Sequence, residues 1–112
     1  MIRLFLLAEA AAFIVAASIH FDILMGGYAH EKAGIAESVI ALVLLAGLAW
    51  TWIRPRSVRA AGLAAQALAL LGTIVGIFTI VIGVGPRTVP DIVYHIVMVI
   101  VLAIGLLVTR QE

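Results

Sequence analysis

Four long apolar runs occupy nearly the whole chain and limit what it can fold into more than any other feature. They cover Ile2–Gly26, Ile35–Ile53, Val58–Val84 and Val89–Val108. Each has roughly 19 to 27 residues, against about 20 for a helix crossing about 30 Å of hydrocarbon. A soluble domain of 112 residues, 65% of them hydrophobic, could not bury that much apolar surface, whereas lipid removes the need. No alternating pattern marks strands, and a backbone in lipid must satisfy its own hydrogen bonds, so helices are expected. The sequence predicts an all-α, integral membrane four-helix up-down bundle. It forms a single transmembrane domain, 1–112, with helices at about 2–26, 35–53, 58–84 and 89–108.

The net charge of +1 hides an asymmetry. With four spans, Arg3, Arg54, Arg56, Arg59 and Arg110 fall on one side, and Lys32 and Arg87 on the other. The positive-inside bias puts the arginine side, and with it both termini, in the cytoplasm of a bacterial-type inner membrane. Met1-Ile2-Arg3 before an apolar run, with Val15-Ala16-Ala17-Ser18 beyond, has the outline of a signal peptide. Glu9 interrupts that run, so the segment is read as a retained helix. The chain has no cysteine, which excludes disulfides and thiolate ligands and leaves imidazole and carboxylate as the strong metal donors. Nothing in it suits nucleic acid.

The same topology gathers His20, His30 and His95 at the outer end, with Asp22, Glu31, Glu37 and Asp91. Ionisable groups at membrane depth are costly, so a one-sided cluster marks a candidate site. In the first helix, Glu9, Ala16 and His20 share a face by 3-4 spacing; in the fourth, Asp91, His95, Met98, Leu102 and Gly105 do, with Tyr94 beside them. In antiparallel helices His20 and His95 come to equal depth, about 6–10 Å below the surface at 1.5 Å per residue. Thr88 suits an N-cap, Pro90 the first turn and Asp91 the positive helix start. Gln66 lies at a depth like that of Glu9, within expected hydrogen-bonding reach.

Two imidazoles at one depth suit the axial positions of a haem b, or half the shell of a copper, zinc or iron ion. For haem, Ala12, Ala16 and Ala17 would leave room, and Arg87, Lys32, Tyr28 and Tyr94 would offer hydrogen bonds. For a bare ion, His30, Glu31, Glu37 or Asp91 would complete the shell, with Asp22 nearby as a gating or supporting group. Electron transfer would be the matching function. No CxxCH or HExxH motif is present, and Ser18 and Ser38 lack a nucleophile elbow, so no enzyme activity is assigned.

Two further readings follow from other residues. With an acid, Glu9, in the first of four helices and a chain of this length, the sequence resembles the small multidrug resistance transporters. That resemblance implies exchange of a proton for a cationic substrate at Glu9. It extends to helix number, length and this one acid; the aromatic substrate-stacking residues of that family are absent, both tryptophans lying near the inner loop. The small-residue stripe of the third helix, with Gly72 and Gly76 as a GxxxG pair, suits close packing. It could serve the bundle interior, a homodimer, or a place as a non-catalytic subunit of a larger membrane complex.

Overall fold

A computed structural model describes residues 1–112 and contains four α-helices and no strand. They are α1 (Ile2–His20), α2 (Glu31–Ile53), α3 (Val58–Val81) and α4 (Val89–Gln111), with one 3₁₀ turn at Pro55–Ser57. All four are long and apolar enough to cross a membrane.

The helix ends differ from the sequence expectation, each for a local reason. α1 stops at His20, short of Gly26. The Phe21 N–H returns to Ala17, Asp22 takes a left-handed φ of 63°, and the Ile23 N–H wraps back to the Ser18 carbonyl. Aspartate tolerates that backbone better than most side chains. The apolar stretch Phe21–Met25 therefore continues the hydrophobic run as an exposed loop. α2 begins at Glu31, earlier than expected, because His30 caps it: its Nδ1 accepts the Ala33 N–H at 3.1 Å. The His30 backbone N–H also donates to the His20 carbonyl (2.9 Å), closing the loop onto the end of α1. α3 ends before Gly83, whose φ is 87°, and the Thr79 carbonyl accepts the N–H groups of Val84 and Gly85. Thr88 and Asp91 form a reciprocal capping box at the start of α4.

Consecutive helices pack together, α1 also meets α3 and α4, and α2 and α4 make no close backbone approach. α1 and α3 thus lie on the short diagonal of the bundle. Leu6, Ala10, Phe13, Leu44, Ala69 and Leu102 form the middle of its apolar core. Only 27 of the 112 residues are buried, and most large aliphatic side chains point outward. Inside are Glu9, His20, Glu37, Gln66, Asp91 and His95. That distribution inverts the one water imposes.

The Gly72–Gly76 pair packs against neighbouring helices of the bundle. A Cβ on Gly72 would lie 3.0 Å from Ile40, and one on Gly76 would lie 3.1 Å from His95 Nε2. Both glycines bring α3 close to its neighbours.

Candidate functional site

His20, the last residue of α1, stands between two carboxylates from two other helices. Its Nδ1 lies 2.7 Å from Glu37 Oε2 on α2, and its Nε2 lies 2.9 Å from Asp91 Oδ1 on α4. All three side chains are buried. Since the backbones of α2 and α4 do not approach closely, this ring links the two helices. Asp91 Oδ2 accepts from the Thr88 N–H (3.2 Å) and hydroxyl, so the capping box also aims the carboxylate at His20. One turn along, His95 Nδ1 donates to the Asp91 carbonyl at 2.7 Å. That bond assigns the proton to Nδ1 and leaves Nε2 of a neutral ring as an acceptor.

The hydrogen bonds carry a charge balance. An imidazole that donates to carboxylates through both nitrogens is an imidazolium, because a neutral ring has one N–H. One cation between two carboxylates leaves the triad with a surplus negative charge. The surplus has a place: Glu37 Oε1 is buried and has no hydrogen-bond partner. An unpaired, desolvated carboxylate oxygen is costly, and the cost falls when a proton or cation joins it.

Two cavities flank the triad. The first, about 190 Å³, is bounded by α2, α3 and α4, with Glu37, His95, Thr73 and Thr79 in its wall and His30 and Lys32 also lining it. The second, about 230 Å³, opens between α1 and α4 and is lined by Ala12, Ala16, His20, Asp91 and Tyr94. Glu37 faces the first, while His20 and Asp91 face the second. The Tyr94 ring meets Phe13 and His95 edge-on, with centroids 6.1 and 5.4 Å apart, and its hydroxyl is buried without a partner.

The donor set does not fit a haem or metal ion held by His20 and His95. Both nitrogens of His20 are taken by carboxylates, so neither has a lone pair to give. His95 offers Nε2 alone, and α3 packs so near that atom that a Cβ added at Gly76 would lie 3.1 Å from it. No group of three or more histidine and carboxylate side chains converges as a metal shell. His30 is engaged at both nitrogens too, since Nε2 donates to the Val84 carbonyl at 3.1 Å. Tyr94 lies beside the triad without bonding to it. Arg87, Glu31 and Asp22 are exposed and form no ion pair; Asp22 is the left-handed residue that ends α1.

A second buried polar group lies toward the other end. Gln66 Nε2 donates to Glu9 at 3.1 and 3.3 Å to its two oxygens, and the Thr109 hydroxyl donates to Gln66 Oε1 at 2.9 Å. A Cβ on Gly105 would come within 2.5 Å of both Gln66 and Glu9, so this glycine makes the room. Sequence reading missed Thr109, although it continues the His95–Leu102–Gly105 face at 3-4 spacing. It also missed the Arg3 anchor, which donates to the Thr51 hydroxyl and carbonyl at 3.0 and 2.8 Å and stacks on Trp52.

No family model, curated protein or solved structure matches this chain.

Proposed function

We propose that the chain is a multi-pass protein of a bacterial-type inner membrane. Its helices run up and down, and the Arg54–Arg59 connection and both termini lie in the cytoplasm. The His20–Glu37–Asp91 end then opens outward as a site for one positive charge, either a proton or a compact monovalent cation of the ammonium class. The observation that carries this reading is Glu37 Oε1, buried and unpartnered in a residue lining a cavity of about 190 Å³. That space equals roughly six water molecules, which suits a small solute. His95 Nε2 supplies a second acceptor, Thr73 and Thr79 supply hydroxyl oxygens, and Lys32 at the cavity discriminates against multivalent cations.

In this mechanism Glu37 keeps its bond to His20 through Oε2 and takes the incoming charge on Oε1. A cation and a proton compete for the same oxygen, so binding of one releases the other. Proton-linked binding is the property that a small exchanger or sensor needs. Glu9 is less suited to that role: its carboxylate is enclosed by Gln66 and fully buried, and neither cavity beside the triad reaches it.

Calorimetric titration of the detergent-purified protein with methylammonium, in buffers of different ionisation enthalpy, tests the reading. The expected result is saturable binding with release of protons, abolished in Glu37→Gln. Equal heats in the two proteins would overturn it.

A further inference from the structure

The end of the bundle opposite the triad holds a third cavity, of about 490 Å³, lined by Arg3 of α1 and by Arg56 and Arg59 at the turn into α3. Arg3 is fixed there by neutral groups. Its Nε donates to the Thr51 hydroxyl at 3.0 Å and its Nη2 to the Thr51 carbonyl at 2.8 Å, and its guanidinium stacks over Trp52 at 5.3 Å. Thr51 is itself fully buried, so the anchor is firm. Those bonds occupy two of the five N–H groups of an arginine and leave the rest free.

The charge of this cavity is not answered from within the chain. None of its three arginines has a carboxylate at ion-pair distance. Glu112, the one acid in the wall, spends its oxygens on the Met1 ammonium (3.4 Å) and the Ile2 N–H (3.2 Å). Of the other acids, Asp22, Glu31, Glu37 and Asp91 lie toward the triad end, and Glu9 is enclosed by Gln66.

An anion fits what remains. Three guanidiniums around one space suit a group with several acceptor oxygens, and phosphate takes paired N–H bonds from arginine. The volume equals roughly sixteen water molecules, enough for a phosphate and a polar substituent. The surroundings choose between a lipid and a soluble source. Leu4 beside Arg3, Trp52 under its guanidinium and the adjoining Ile53 are all exposed apolar side chains, and tryptophan favours the headgroup level of a membrane. Acyl chains below a seated headgroup would lie along these side chains, whereas a free phosphate has no contact for them.

We infer that the Arg3–Arg56–Arg59 cavity binds the phosphate of an anionic lipid of the phosphatidylglycerol class. The inference rests on the membrane reading above, and it does not depend on cation binding at Glu37.

Native mass spectrometry of the detergent-purified protein, titrated with phosphatidylglycerol, tests it. Phosphatidylcholine, which carries the same phosphate but no net charge, is the comparison. The wild type is expected to hold phosphatidylglycerol saturably, near one per chain, and in preference to phosphatidylcholine. Arg56→Gln combined with Arg59→Gln is expected to weaken binding about thirtyfold. Arg54→Gln combined with Arg110→Gln removes the same charge from the same end but outside the cavity, and is expected to weaken it far less. Inorganic phosphate at the concentration of the lipid is expected not to displace it. Equal loss in the two double variants would mean diffuse attraction without a site. Equal retention of the two lipids, or displacement by inorganic phosphate, would likewise overturn the assignment. Should either double variant fail to fold, the lipid comparison and the phosphate competition on the wild type decide. Methylammonium binding is expected to survive in Arg56→Gln with Arg59→Gln, so either proposal can fail alone.

Discussion

His20 makes two charge-assisted hydrogen bonds while buried, where such bonds are stronger than at a wet surface. Removing the ring strands two carboxylates. His20→Leu is expected to cost roughly 3–5 kcal/mol, the usual penalty for breaking a buried ionic group on one side. It would be read as a lowered unfolding midpoint in detergent. Adding Glu37→Gln to that variant removes one of the stranded charges, so the double variant should be more stable than His20→Leu alone. A strictly additive double variant would argue that the two residues do not share one network. At the other buried polar group, Gly105→Ala places a methyl 2.5 Å from Gln66 Nε2 and Glu9 Oε1. Overpacking of that kind costs about 1–3 kcal/mol. A midpoint unchanged from wild type would show that Gln66 and Glu9 yield freely.

Elements here are defined as much by their caps as by their apolar runs. α4 begins where Thr88 and Asp91 exchange hydrogen bonds, and the same Asp91 holds His20. Thr88→Ala should therefore do two things. Loss of the cap costs about 0.5–2 kcal/mol, and freeing the carboxylate loosens the triad. Thr88→Ser, which keeps the hydroxyl, should restore both stability and methylammonium affinity. His30 plays a similar double part, capping α2 and tying its loop to the Val84 carbonyl across the bundle. His30→Ala is expected to raise amide hydrogen exchange in both outer loops, and exchange confined to 21–30 would contradict the link. The start of α4 was legible because threonine, proline and aspartate stand in cap order. The end of α1 was not, because Phe21–Met25 is as apolar as the helix before it, and hydropathy does not register a left-handed Asp22.

At the scale of the whole molecule, charge and burial point the same way. The apolar side chains face outward, and Arg3, Arg54, Arg56, Arg59 and Arg110 gather at the end opposite the triad. The absence of native cysteine makes the proposed orientation directly measurable. Ala29→Cys should react with a membrane-impermeant maleimide on spheroplasts, whereas Arg56→Cys should react only after the membrane is opened. The reverse pattern would invert the topology and place the triad on the cytoplasmic side.

Hydropathy and charge act on a residue without reference to its partners, so four apolar helices, their approximate lengths and the grouping of ionisable residues at one end could all be read directly. The choice of partners could not. That His20 and His95 lie near each other followed from periodicity, but that His20 spends both nitrogens on Glu37 and Asp91, and so has none for a metal, depends on how far each helix is rotated about its axis. Close packing sets that rotation, at Gly76 against His95 and at Gly105 against Gln66 and Glu9. A hydrogen bond is won or lost over less than an ångström, a finer scale than any sequence period resolves.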